Sequence, residues 1–344
     1  MKHLYKLLIV LIFIYIGWIY LNSYSYESTD ISSEIEKAKV NLSRNQEVVI
    51  FNSKNPFNFY DIFKRVDKIE DQQVFGVLSI PRSEGEENFP LVVGFAGSKN
   101  WSSHHYGYLK RYYENGFATL AIHSFKSRKV ESTVGEQASV TTAMMIADAF
   151  AAINKVSKDY RIDSSKIGIT GWSLGGGVAL FTAWKPIQEA LSPNIKFAAH
   201  LPIYPPCIAI PDEFEFTDAP IHILIGEYDN WVPADACTEF IGKMKDYGYS
   251  NAELTIYPES HHSFDREGPV VMVENAYSVG DCRLVIDKDG ITRTKDYRFP
   301  MSSPLLQKIG LFFCADRGSE LGGNKSAREK SSIFAIEFMN TYLK

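Results

Sequence analysis

Apolar runs of five to eight residues alternate along this chain with longer stretches whose apolar positions recur at helical spacing. The runs at 73–80, 91–95, 118–123, 166–172, 197–203, 221–225 and 252–257 read as strands. The stretches at 105–113, 134–156, 174–181, 234–247 and 326–342 read as helices. Strands separated by helices of about ten residues or more predict parallel βαβ units, because a parallel neighbour is reached only through a long crossover. The fold class expected is therefore α/β, a mostly parallel central sheet with helices on both faces. In such sheets ligands bind beyond the carboxyl ends of the strands.

The alternation breaks between Asp265 and Asn324, where about sixty residues separate the last strand from the last helix. Residues 282–294 have a hairpin pattern that turns at Asp289-Gly290. This insertion, at about 266–324, is expected to pack beside the mouth of the site. Asp287 and Asp289 lack the other ligands of an EF-hand loop, so a plain turn is expected and no metal.

At the N-terminus, Lys2 and Lys6 precede residues 7–26, which carry no charge, and Glu27, Asp30 and Glu34 follow. Twenty residues at 1.5 Å rise are enough to span a bilayer. The charge asymmetry orients such a span with the N-terminus in the cytoplasm and the rest of the chain outside. A cleaved signal peptide is the competing reading, with Ser23-Tyr-Ser25 as its only small-x-small site. The expected organisation is a signal-anchor or transmembrane segment at 1–26, a polar linker or lead-in helix at 27–44, and one large domain at 45–344.

With 344 residues, 45% hydrophobic and 22% charged, the remainder is ample for a buried core. A formal net charge of −5 without a Lys/Arg block argues against nucleic acid as a partner. Cys207, Cys237, Cys282 and Cys314 are an even number in a chain that reads as exported, periplasmic or extracellular, which points to disulfides. Cys207 follows one strand and Cys237 lies in the helix after the next, at the same sheet edge. Pairing Cys207 with Cys237, and Cys282 with Cys314, follows.

The chemistry concentrates at three strand ends. Gly171-Trp-Ser173-Leu-Gly175 completes a strand and opens a glycine-rich helix, the context of a nucleophile elbow, in which a serine is held in a strained turn and glycines let the neighbouring backbone pass. A serine needs a histidine to take its proton and a carboxylate to orient that histidine, following it in the order acid, then base. Asp229, in the turn after the strand at 221–225, is the acid chosen over Glu227, which sits closer to the strand and suits structural hydrogen bonds. The base lies in His261-His262, at the end of the strand at 252–257. Of the other histidines, His123 ends a strand but precedes Ser173 and reads as a wall or hydrogen-bonding residue, while His104 and His105, in a loop before a helix, are expected to be solvent-exposed. Backbone N–H groups of Leu174 and of Ser98, freed by Gly97, are the expected donors to an oxyanion.

These residues resemble the dienelactone hydrolase family of α/β-hydrolases over roughly 70–344. The resemblance rests on the elbow Gly-Trp-Ser-Leu-Gly-Gly, the acid turn Gly-Glu-x-Asp-x-x-x-Pro, and Tyr-Pro-x-Ser-x-His-x-Phe around the base. Further matches are Ser124-Phe125 before Arg128, Tyr-Pro-Pro-Cys207, and Cys314-x-x-Arg-Gly with Asn324 and Arg328. It implies an α/β-hydrolase fold and a Ser-Asp-His hydrolase of small ester-like substrates, without metal or cofactor. It also places the base two residues before Phe264, at His262. The chain departs in carrying Ser173 where founding members have a cysteine, Ala96 before Gly97, and His123 before Ser-Phe. Acyl transfer or peptide hydrolysis on the same triad, and non-catalytic binding on the same fold, are the alternatives; the sequence leaves the oligomeric state open.

Overall fold

Five successive parallel pairings make the centre of the molecule. The computed structural model describes residues 11–15, 17, 24, 26–82 and 88–344. Strands β1 (Gln46–Lys54), β2 (Asp71–Ser79), β3 (Phe89–Phe95), β4 (Ala118–Ile122), β5 (Ile162–Trp172), β6 (Ala199–Ile203), β8 (Ile221–Gly226) and β9 (Ala252–Tyr257) form an eight-stranded sheet in the order β1-β2-β4-β3-β5-β6-β8-β9. The β1/β2 and β2/β4 pairs are antiparallel and the rest parallel. Strands β3, β4 and β6 are apolar along most of their length because helices cover both of their faces.

On one face lie α3 (Ser103–Glu114) and α9 (Lys325–Leu343), joined by Tyr108 Oη and Ser331 Oγ at 2.7 Å. On the other lie α4 (Thr142–Val156), α5 (Leu174–Phe181) and α7 (Ala234–Asp246), with the short α2 (Phe59–Arg65) and α6 (Lys185–Leu191) beside them. Helix α4 is apolar around nearly its whole circumference, as a helix enclosed between sheet and neighbours must be. Its expected start at Val134 is too early. Thr141 caps the helix by accepting from Met144 N at 3.2 Å, and Gly135 and Gln137 adopt positive φ in the loop before it.

The segment 27–44, expected as a linker, contains α1 (Ser32–Val40), and Ile31 and Ile35 pack on Phe75 of β2. Of the apolar run 7–26, residues 11–15, 17, 24 and 26 are among the described residues, and the expected span as a whole lies outside them. Among the described residues no helix is long and apolar enough to cross a membrane.

Between β9 and α9 the chain builds a second layer over the sheet's carboxyl edge. Strand β10 (Val271–Ser278) pairs antiparallel with β13 (Asp316–Leu321). The hairpin of β11 (Leu284–Ile286) and β12 (Thr292–Thr294) adds in parallel to the short β7 (Ala209–Pro211), and Gly290 at its tip accepts from Tyr60 N at 3.0 Å. Helix α8 (Pro304–Phe312) follows, capped by Ser303. Disulfides Cys207–Cys237 and Cys282–Cys314 fasten the loop after β6 to α7 and close the second layer on itself. Two disulfides mark an oxidising, exported compartment.

Candidate active site

Strand β5 ends at Trp172 and helix α5 begins at Leu174, so the whole reversal falls on Ser173, with φ 55° and ψ −115°. An L-residue in that region is strained, and the turn survives because its surroundings fix it. Ser173 N donates to Ile203 O at 2.9 Å, and Ser173 O accepts from Gly177 N at 3.0 Å. A Cβ on Gly171 would lie 2.1 Å from Gly175 O, and one on Gly175 would lie 2.2 Å from Phe95 O. Only glycine lets the two limbs of the elbow close on each other and on β3.

The other two strand ends converge on that serine. Asp229, in the turn after β8, is 5% exposed; its Oδ1 accepts from Trp231 N at 3.0 Å and Val232 N at 2.9 Å. Its Oδ2 stands 2.7 Å from His262 Nδ1, and His262 Nε2 stands 2.9 Å from Ser173 Oγ. Trp231 and Tyr204 enclose the imidazole, with ring centroids at 5.0 and 4.8 Å. The loop bearing His262 is held from behind: Gly322 N donates to His262 O at 3.0 Å, and Asn324 N to Phe264 O at 2.8 Å. Gly226 permits the close approach of β8, since a Cβ there would meet Ser260 O at 2.2 Å.

Glu227 lies outside this array and accepts from Glu259 N at 2.9 Å. His261 turns to the other side, with Nδ1 3.3 Å from Glu320 Oε2.

Ser98 and Leu174 both border a cavity of about 220 Å³ that opens beside Ser173. The loop carrying Ser98 is fixed where its carbonyl accepts from Thr133 N at 2.9 Å and Ser132 Oγ at 3.0 Å. Gly97 lies against the elbow, and a Cβ there would be 3.2 Å from Ser173 Cβ. The cavity wall is mainly apolar, with Phe181, Ile208 and Val232 from the sheet layer and Leu284, Met301 and Leu311 from the second layer. A smaller recess of about 150 Å³ lies on the other side of Ser173 and is polar, with Lys99, His104, Ser263 and Arg266. A larger groove of about 1050 Å³ between α1, β2 and α3 contains none of these three residues.

Two expectations need correction. His105 is 4% exposed; its Nδ1 accepts from Ser102 N at 3.1 Å in a capping box, and its ring stacks on Trp172 at 4.6 Å. Burial pushes its pKa well below the usual imidazole range, and that of its neighbour His104 down as well. Helix propensity alone gives no sign that this helix start points inward. His123 is buried too, but it stacks on Phe75 at 4.9 Å, away from Ser173. Sequence reading missed Gln137 and Gln307, which border the cavity and are joined by Gln307 Nε2 donating to Gln137 O at 2.9 Å.

Among known proteins, the model of the dienelactone hydrolase family matches residues 110–282. Two curated Escherichia coli relatives, each described as an uncharacterised 31.7 kDa protein in the traX-finO intergenic region, are 34% identical over 97 residues, 27% of this chain. The chain spans about a third (32%) of the length of those relatives. The apo form of Thermogutta terrifontis esterase 2 is similar at 19% identity and a TM-score of 0.47, over 65% of this chain and 87% of that one. The propionate-bound form gives 20% and 0.47, over the same shares of each chain. The stretch matched by the family model carries the elbow and Asp229 as well as His262, and on it this chain belongs to the dienelactone hydrolase family.

Proposed function

We propose that the chain is a serine hydrolase that works through an acyl-enzyme on Ser173. The observation that carries this reading is the continuous relay from Asp229 Oδ2 to His262 at 2.7 Å and from His262 to Ser173 Oγ at 2.9 Å, ending on a serine with φ 55°. Ser173 Oγ attacks the ester carbonyl carbon while His262 Nε2 takes its proton, and Asp229 stabilises the imidazolium. Leu174 N–H and Ser98 N–H receive the oxyanion, and Leu174 N–H is available because the first turn of a helix has no intrahelical acceptor. His262 then protonates the departing alcohol oxygen as the C–O bond breaks. Water, deprotonated by the same nitrogen, attacks the acyl carbon, and His262 returns that proton to Ser173 Oγ as the Oγ–acyl bond breaks, leaving free Ser173 and a carboxylic acid.

The cavity of about 220 Å³ exceeds the roughly 150 Å³ that encloses benzene in an apolar protein interior, so it has room for an apolar group of that size on one side of the substrate. We read 45–344 as one α/β-hydrolase domain with 266–324 as an insertion that completes this cavity. The domain is held outside the cytoplasm by the N-terminal run 7–26 as a membrane anchor. Labelling with a fluorophosphonate tests the mechanism. The wild type is labelled and hydrolyses p-nitrophenyl esters, and Ser173→Ala does neither while remaining folded. Full labelling of the variant overturns the assignment.

A further inference from the structure

Helix α8 is apolar on both sides. Leu306, Gly310 and Leu311 are buried, and Leu311 and Gln307 border the cavity beside Ser173. Leu305, Ile309 and Phe312, at i, i+4 and i+7, share the outer side, where Phe312 is 84% exposed. Phe313 and Tyr297 extend this surface, with ring centroids 6.2 Å between Phe312 and Phe313 and 6.3 Å between Phe313 and Tyr297. Lys308, on the same helix, is exposed, as are Lys295 and Asp296, which precede Tyr297 in sequence. Single exposed apolar residues are ordinary; three on one side of a helix, continued by two aromatic rings, mark an interaction surface.

The course of the chain indicates what covers it. Tyr26 Oη donates to Ala138 O at 2.7 Å, and the Tyr24 ring lies 5.0 Å from that of Phe57, which borders the cavity. The Tyr24 hydroxyl donates to Asp61 Oδ2. Gln137, next to Ala138, is the residue whose carbonyl holds Gln307 of α8. The uncharged run 7–26 thus ends on the rim where α8 rests.

We propose that the outer face of α8, with Phe313 and Tyr297, docks on the surface of a lipid bilayer, and that the cavity beneath takes amphiphilic esters from it. The partner rests on the membrane-anchor reading, and the substrate on the serine-hydrolase reading. Large apolar and aromatic side chains edged by lysines are what seats a helix in the headgroup region, where apolar groups enter the acyl boundary and ammonium groups stay at the phosphates. A helix with its side chains is about 10 Å thick, so the cavity lies one helix below the lipid.

The test uses the full chain in vesicles of phosphatidylcholine and phosphatidylglycerol that contain a phospholipid with a photoactivatable acyl chain. The lipid is expected to label residues 304–313. The I309D/F312D variant loses that label, and its hydrolysis of vesicle-held p-nitrophenyl palmitate falls tenfold or more while hydrolysis of soluble p-nitrophenyl acetate is unchanged. The proposal is overturned if 7–26 is labelled and 304–313 is not, if the variant keeps the label, or if 304–313 is covered by a second copy of the chain. A wild type that hydrolyses neither ester but is labelled at 304–313 rejects the hydrolase reading and leaves the docking surface standing.

Discussion

Arg128 and Asp148 form a buried, two-pronged ion pair at 2.8 and 2.9 Å that joins the turn after β4 to the middle of α4. The remaining donors of Arg128 reach Asn55 Oδ1 at 2.8 Å, Ser124 O at 3.1 Å and Lys54 O at 3.2 Å, so the guanidinium also holds the end of β1. Removing one partner strands the other charge in the core. Asp148→Ala is expected to lower unfolding free energy by about 3–5 kcal/mol, measured by urea denaturation. A loss below about 1 kcal/mol in the single variant shows that the pair is solvated in solution.

The two adjacent histidines separate by direction. His262→Ala is expected to reduce kcat by about 10³-fold or more, and His261→Ala by about tenfold or less, because only His262 lies within reach of Ser173 Oγ. Steady-state kinetics on one soluble ester decides it, and the reverse pattern moves the base to His261.

Cys207 and Cys237 are 30 residues apart in sequence. Closing a loop of that size contributes about 3–4 kcal/mol in the loop-closure picture. The C207A/C237A variant should therefore lose about that much unfolding free energy in urea denaturation, and thiol counting on denatured wild type should find no free thiol among the four cysteines. Four free thiols in exported protein refute the pairing.

Burial lowers His200 and His222 to about 4 and His123 to about 3. Each stays neutral in the folded chain but takes a proton near pH 6.5 once unfolded. The unfolded state then binds more protons, so stability is complete above about pH 6.5 and is lost as pH falls from there towards 4. Each of the enclosed His123 and His200 contributes a loss of roughly 1–2 kcal/mol by pH 5. His200→Gln should flatten the urea midpoint between pH 7 and pH 5 relative to wild type; parallel profiles reject the linkage.

The parts that local sequence determines were legible. Ser173, Asp229 and His262 each follow the end of a strand, and each strand end carries its own short motif. The parts fixed by distant partners were not. Strand β1 is a sheet edge with only four apolar residues, Val48 to Phe51, between polar ones, and it reads weakly until β2 pairs with it. Strands β10 and β13 pair across about forty residues, and three-residue β7 exists only because β11 lies beside it. The cavity wall draws on Phe57, Gln137, Ile208, Tyr277 and Leu311, which no window along the chain brings together.

The two ends of the insertion meet at its base. Gly323 N donates to Gly268 O at 3.0 Å, Arg328 Nη1 to Arg266 O at 2.8 Å, and a Cβ on Gly323 would lie 2.2 Å from Arg266 O. A segment whose ends are already joined transmits little of its own length or sequence to what lies beneath, which is how insertions are tolerated in folded domains. Substitutions at Leu284, Met301 or Leu311 would therefore change the cavity wall without moving the elbow, whereas Ser278, Val279 and Glu320, which donate to Asn230 and Trp231 at 2.6–3.2 Å, tie the insertion to the turn that carries Asp229.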